Sequence, residues 1–577
     1  GLALLFGLGM LLRLRRRSER RIRGRREARY GWLKGALLLI ALPLSLGLAG
    51  CDCGGDTTPT PDATCATMDC GTTGICCEAT AMCVAYDEGA LCSPGYACAE
   101  GGVMLDSACL PACATCEPLP PLPPGLLATH LDMVVRTDGT LMLSGYAAGA
   151  PPRNTYGDLV VGVWNTTISE VAWQIVDGVP DASFLAGDPA GWRGGVALPG
   201  DDVGRWTSIG ERSSDGRVHV SYYDRTNGAL KIASSDLGVD GAWAIHTVDG
   251  EGDAGRFTSL AYTAAGEPVV AYMAITPPET MPGRPVGHAR VAFSTVADPT
   301  SPADWILTEA NTAPMACRPE YCADGAACLE SGDCVMPTAD CATPCADDQA
   351  CVAAACVAAL PDPYVEELPP STGLYNSLVA LEGGGFALTY YDRSTGNLFA
   401  TSWDGTIWGA PILIDGHLRA DAEANTYIGD SGQAAKLFVD AAGAWHVVYV
   451  DGGEEVLRYA RIESGFVTAR YDVDDGSTVD GTTRHPDGRH VVGDDASIVV
   501  TDSGEVRIAY QDSTAQRAVM ARGPGDGTWT LSVLDEMDST GYWLEQELTG
   551  STSFICEWWR RQGVGTAANG VRVLVAE

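Results

Sequence analysis

The sequence predicts an all-β chain: a seven-bladed β-propeller, or alternatively a six-bladed one, built of four-stranded antiparallel blades and carrying small disulfide-rich modules. Three observations predict it. A phrase recurs along 127–577, clearest from Trp206 to Ala233, and an internal repeat of this size sets the architecture before any single residue does. Each copy carries a tight turn ending in glycine, at Gly216, Gly266, Gly384, Gly443 and Gly504. A nearly continuous apolar run follows each turn, as expected of a strand buried on both faces. Radially stacked blades bury strands in this way and leave only short edges.

Within each copy, an aromatic late in the second strand serves as register: Tyr222, Tyr272, Tyr390, Tyr449, Tyr510 and Trp558. Two residues earlier stand Val220, Val270, Leu388, Val447, Ile508 and Cys556. Alternate residues of a strand share a face, so the two columns are expected to pack together. The spacings from 222 to 272, 390 to 449, 449 to 510 and 510 to 558 suit four-stranded blades of ~40–50 residues with variable loops. A degenerate copy with Met133, Gly139, Leu141 to Tyr146 and Leu159 opens the series and brings the number to seven. Fourth strands are expected at Trp243–Thr247, Pro411–Ile414 and Trp529–Val533. The last copy has room for three strands before Glu577. The missing strand is then drawn from Pro118–Pro124, which is a poor strand former, or the ring has six blades and a decorated end.

The stretch from Val203 to Ile209, followed by Ser221 to Ala233, resembles a repeat found in secreted and surface proteins of myxobacteria and related bacteria. In that family the copies read roughly V-G-x-Y-T-S-L and then S-Y-Y-D-x-x-N-G-x-L-K-Y-A. The resemblance covers roughly 127–577 and is strongest at 203–233 and 374–400. It implies a β-propeller-like domain in an exported protein and implies no reaction.

The front of the chain reads as an address. Residues 13–34 hold ten Arg and one Lys, and a 13-residue apolar run, Ala36–Leu48, follows. A basic region, a short apolar core and small residues at the cut define a secretion signal over 1–50, with Met10 as a candidate start. Leu48-Ala49-Gly50-Cys51 resembles the lipobox of bacterial lipoproteins, which implies lipidation of Cys51 and a tether over 51–64. The apolar run is too short for a comfortable membrane span of ~20 residues. These features place the chain outside the cytoplasm, on an outer membrane or the cell surface, with the membrane itself as one partner. Beyond residue 50 there remain 26 of the 37 basic and 72 of the 74 acidic residues, a net charge of −46. Such a surface disfavours nucleic acid.

The 21 cysteines fall into two clusters. The first fills a module over 65–117 with Cys65, Cys70, Cys76, Cys77, Cys83, Cys92, Cys98, Cys109, Cys113 and Cys116, and with Cys53 in the tether it totals eleven. A proline-rich linker over 118–126 leads to the propeller. The second cluster is an insert over 315–358 with Cys317, Cys322, Cys328, Cys334, Cys341, Cys345, Cys351 and Cys356. In an exported chain such clusters read as disulfide-stapled modules; zinc is the alternative, but neither cluster contains His. The insert follows a fourth strand at Trp305–Thr308, or else Tyr364–Leu368 is that strand and the insert leaves from the opposite face. Cys556 stands alone. A buried thiol in the core column is preferred over a disulfide to the odd N-terminal cysteine.

Ligand recognition is expected on the face of the longer loops, 274–288, 416–434, 474–495 and 561–570. The turns between second and third strands there carry Tyr223-Asp224-Arg225, Tyr391-Asp392-Arg393 and Trp559-Arg560-Arg561. An aromatic beside arginine suits sugar rings or carboxylates. The competing reading is that Asp224 and Asp392 cap hairpin turns ending at Gly228 and Gly396. No cofactor is expected except calcium, for which Asp472, Asp474 and Asp480 offer closely spaced oxygens, although the segment falls short of a twelve-residue calcium loop. Ser402 to Trp408 loosely resembles a sialidase Asp-box with its glycine one place early. No phosphate loop, H-E-x-x-H or G-x-S-x-G is present, and eight histidines leave little for His-based chemistry. The expected function is a lipid-anchored extracytoplasmic binding or adhesion protein for a polysaccharide or protein. A propeller glycoside hydrolase or lyase and a non-catalytic surface scaffold are the alternatives.

Overall fold

The computed structural model describes residues 124–149, 156–180, 192–196, 200–236, 241–276, 286–311, 326–329, 334–345, 349–358, 371–393, 395–416, 430–477, 489–561 and 568–577, with four short strands at Gly74–Cys77, Met82–Ala85, Tyr96–Cys98 and Cys116–Pro118. The secretion signal, Cys51, Cys65, Cys70, Cys92, Cys109, Cys113, Cys317, Cys322, Asp480 and most of the long loops lie outside the described residues.

Seven antiparallel sheets form the blades, each a simple meander from an inner to an outer strand. The inner strands are Pro124–Val135, Val203–Glu211, Asp253–Tyr262, Leu374–Ala380, Ser431–Val439, Val492–Val500 and Ser539–Thr549. Each packs on the next, and the seventh packs on the first, so the ring closes with seven blades. Among the described residues six blades have four strands and the seventh has three, Ser539–Thr549, Thr552–Arg560 and Asn569–Ala576. The first inner strand opens at Pro124, inside the stretch read as a linker, and joins blade 1. The seam is held by side chains: Trp558 Nε1 donates to Leu127 O at 2.9 Å, Leu127 N to Asn569 Oδ1 at 2.9 Å, and Asn569 Nδ2 to Gly125 O at 2.9 Å. Among the described residues no helix is long and apolar enough to cross a membrane.

The core lies between blades. Val220 and Tyr222 of blade 2 pack with Met142, Leu159 and Val161 of blade 1. Each turn from the inner to the second strand is tight, with Gly216 at a φ of 76° that a side chain would strain. The outer strand of blade 3 is Trp305–Glu309, so the cysteine-rich insert occupies the connection from blade 3 to blade 4; Tyr364–Leu368 lies outside the described residues. Within the insert, Cys341 bonds to Cys351 and Cys345 to Cys356. The thiols that come together there are disulfides, which removes zinc as their role. In backbone register Cys76 faces Cys83, Cys98 faces Cys116 and Cys328 faces Cys334.

One register expectation is corrected. The pairings Ser208↔Ser221, Ser377↔Thr389 and Glu545↔Cys556 occupy equivalent places. Cys556 therefore stands where Ser221 does, Glu557 takes the place of Tyr222, and Trp558 that of Tyr223. The pair Trp558-Trp559 matches Tyr222-Tyr223 by residue type, but strand pairing shifts it by one. Cys556 is buried and free, packed against Ala128, Met133 and Leu143 of blade 1.

Candidate functional site: the axial channel

Every inner strand carries an irregularity at the same place. Between Arg205↔Tyr223 and Ser208↔Ser221 the inner strand has one residue more than its partner, and the same shift recurs in the other six blades. Such a bulge re-aims a side chain. The residue concerned has positive φ in all seven blades although none is glycine: His130 54°, Trp206 50°, Phe257 54°, Tyr375 51°, Ala434 50°, Asp495 51° and Trp543 47°. Left-handed backbone costs a side-chain-bearing residue roughly 1 kcal/mol or more. Neighbouring blades hold it in place: Thr207 Oγ1 donates to His130 O at 2.7 Å, Thr258 Oγ1 to Trp206 O at 2.5 Å, and Asn376 Nδ2 to Phe257 O at 3.2 Å.

These seven half-buried side chains form a ring around the axis. Five carry aromatic rings on consecutive blades. Centroids are 5.5 Å apart from Trp543 to His130, 5.3 Å from His130 to Trp206, 5.0 Å from Trp206 to Phe257 and 5.0 Å from Phe257 to Tyr375. The successive planes differ by 47°, 59°, 41° and 54°. These angles are close to the rotation of about 51° from one blade to the next in a seven-bladed ring. The ring planes thus turn with the blades, and the five rings form a continuous aromatic arc. Ala434 and Asp495 complete the circle, leaving a gap in the aromatic wall with a carboxylate at its side. Burial, reinforced by Arg205, pulls the His130 pKa down to about 3, so the imidazole is neutral. Burial pushes Asp495 up to about 6 against a hydrogen bond from the Trp543 backbone.

Two residues further along each strand lies a second circle: Asp132, Ser208, Ser259, Ser377, Lys436, Ser497 and Glu545. Five of these groups accept a backbone N–H from the next blade. Ile209 N donates to Asp132 Oδ2 at 2.8 Å, Leu260 N to Ser208 Oγ at 3.1 Å, Leu378 N to Ser259 Oγ at 3.0 Å, Leu437 N to Ser377 Oγ at 3.0 Å and Gln546 N to Ser497 Oγ at 3.1 Å. The other two, Lys436 and Glu545, pair with each other at 2.5 Å. Burial raises Glu545 and the neighbouring Glu547 to about 7 each. This circle lines a cavity of about 680 Å³ that opens towards the tight turns, where Asp440 and Asp502 stand.

The residues expected to bind on the loop face have other work. Asp224 accepts Asn227 N at 2.9 Å and Asp392 accepts Thr395 Oγ1 at 2.9 Å, so both cap their own turns. Tyr223 and Tyr391 are buried; they donate to Asp253 and Asp430 and pack behind Trp206 and Tyr375. Arg225 is exposed and bonds Asp202 at 3.1 Å. Arg393 and Arg560 are half-buried, while exposed Arg561 reaches Asp538 at 3.4 Å. Trp559 is covered by the Arg572 guanidinium, 4.7 Å from its ring centre. Asp472 accepts Arg458 Nε at 3.0 Å, whereas Asp474 is buried and accepts Tyr510 Oη at 2.7 Å, so the two carboxylates serve different partners. The aromatic wall was missed, although a signal existed: an aromatic stands two residues after Gly204, Gly255, Gly373 and Gly541.

No family model matches the chain, and no curated protein matches it. Solved structures similar to it include a polysaccharide lyase, Uly1, at 10% identity over 77% of this chain and 88% of that one, with a TM-score of 0.40. An α-L-arabinanase of Penicillium chrysogenum complexed with arabinobiose is 11% identical over 79% and 96%, with a TM-score of 0.36. A fucose-specific lectin of Aleuria aurantia is 12% identical over 64% and 94%, with a TM-score of 0.31. Likeness at this level leaves the activity to the chain's own residues.

Proposed function

We propose that this chain is an exported binding protein, anchored through lipid on Cys51, that holds a saccharide against the aromatic wall of the propeller channel. The observation that carries the reading is the run of five rings, Trp543, His130, Trp206, Phe257 and Tyr375, on consecutive blades. A half-buried aromatic wall with a few polar groups in reach is the chemistry of a small-ligand site, and a sugar's C–H face suits it. Backbone strain repeated at each ring residue supports a preorganised surface. The lipid anchor rests on the Leu48–Cys51 motif alone.

A glycan array probed with the full chain and with Trp206→Ala tests the reading. Selective binding by the parent that the variant loses supports it; equal binding by both, or none, contradicts it.

A second reading, a glycoside hydrolase or lyase, draws on Asp495, Glu545 and Glu547. Burial brings all three carboxyls towards neutrality in one channel, as general acid–base chemistry requires. Release of reducing ends from a bound glycan, abolished by Glu545→Gln, would favour it over simple binding.

A further inference from the structure

The saccharide reading above is the premise here, and the shape of the circle narrows how a glycan meets it. Each inner strand packs on the next and the seventh on the first, so the blades wall the channel all round. The circle is also recessed. Trp206, Ala434 and Asp495 each stand three residues inside strands that begin at Val203, Ser431 and Val492. At the rise of an extended strand, that places them roughly 10 Å from the strand ends on the side of the long loops.

The circle is narrow as well. Neighbouring ring centroids lie 5.0–5.5 Å apart. Seven such steps describe a circle about 12 Å across, from centroid to centroid. Ligand atoms keep about 3.5–4 Å from ring carbons, which leaves their centres a disc about 5 Å wide at most. One sugar ring fits that disc, and two side by side do not. All seven side chains of the circle are half-buried and not sealed off.

We infer that the site takes the free end of a glycan, lodged lengthwise in the channel, and not an internal stretch. An internal stretch reaches a recessed circle only as a hairpin, with two runs of sugars abreast, and the disc admits one. It cannot slide in from the side, because the ring of blades is closed. A chain end meets neither obstacle. Beyond the rings it finds the cavity of about 680 Å³, lined by Ser259 and Ser377 among others. These two serines stand two residues beyond Phe257 and Tyr375, and each hydroxyl accepts one backbone N–H and keeps its proton to donate. A terminal sugar lying against the Phe257 and Tyr375 rings has these hydroxyls in front of it, and a chain end is where a glycan offers the most oxygens to them.

The test is an array of neutral, acidic and amino tetrasaccharides, each attached in two formats, through its reducing end or through its non-reducing end. It is probed with the full chain and with Trp206→Ala. A tetrasaccharide held by its end is expected to bind at least about tenfold better in the format that leaves that end free, and to lose this binding in Trp206→Ala. Circular dichroism reports whether the variant is folded, and Phe257→Ala, which removes the neighbouring ring, repeats the comparison. Equal binding in both formats, lost in these variants, means that an internal stretch suffices; it overturns the inference while the saccharide reading stands. Binding in neither format, or binding that the variants retain, removes both.

Discussion

Tyr222 and Tyr223 are neighbours on one strand, yet they hold opposite blades. Tyr222 Oη donates to Asp177 at the end of blade 1, at 2.7 Å, and Tyr223 Oη donates to Asp253 at the start of blade 3, at 2.6 Å. The first latch recurs as Tyr272–Asp249, Tyr449–Asp415 and Tyr510–Asp474, and the second as Tyr146–Asp202 and Tyr391–Asp430. The paired tyrosines of the repeat are inter-blade joints. In blade 4 the joint is half made: blade 3 ends in Glu309-Ala310, and Tyr390 Oη has no partner among the described residues.

That difference predicts two outcomes for one chemical change. Tyr222→Phe removes a hydrogen bond to a carboxylate and is expected to cost about 1–3 kcal/mol. Tyr390→Phe removes a buried hydroxyl with no partner among the described residues and is expected to be neutral or stabilising. Urea unfolding of both variants, with unchanged m-values, checks the pair.

Blade 7 replaces the tyrosine with Glu557, which is fully buried, accepts Gly541 N at 3.0 Å and lies close enough to Asp535 for each carboxyl to shift the other. Burial, reinforced by the neighbouring Asp535, raises Glu557 to about 8, while Asp535 stays below its ordinary value. A carboxyl raised on folding binds more protons in the native state. Its contribution is therefore full below the unfolded value and is lost as pH rises towards 8. Stability is expected to fall between about pH 4.5 and 8 through this group. Glu557→Gln, which keeps a donor for Asp535, should flatten that part of the profile in thermal melts across pH.

Cys556 is buried with Ala128, Met133 and Leu143. It is expected to resist iodoacetamide in the native protein and to be alkylated only after unfolding. Non-reducing peptide mapping should find it in no disulfide; a bond from Cys556 to a cysteine of 109–116 would contradict the packing.

The seam between blades 7 and 1 relies on Asn569, which bonds both Leu127 N and Gly125 O. Asn569→Ala is expected to cost about 1–3 kcal/mol by leaving these groups unpaired. The loss should appear as faster amide exchange at 125–131, measured by mass spectrometry, before the other blades open.

The blade was readable because its markers are local. Glycines end the tight turns, and the Tyr222 column recurs in five blades. The last blade was misaligned because Glu557 performs the tyrosine's task with different chemistry, and the adjacent Trp558 and Trp559 imitate the motif. The channel wall was harder to read. Trp206, His130, Ala434 and Asp495 share a position but no residue type, and they are brought together by a bulge that only strand pairing reveals. Tyr223, Asp224 and Arg225 drew attention as a recognisable trio, yet a tyrosine that binds a sugar and one that binds the next blade's aspartate look alike in sequence.

The central claim is that recognition lies in the channel and not on the turns beside it. The direct measurement is isothermal titration of the best glycan from the array into the parent chain, Trp543→Ala and Arg225→Ala. The channel account predicts at least about a tenfold loss of affinity for Trp543→Ala and none for Arg225→Ala. A loss confined to Arg225→Ala would contradict it and return recognition to the turns.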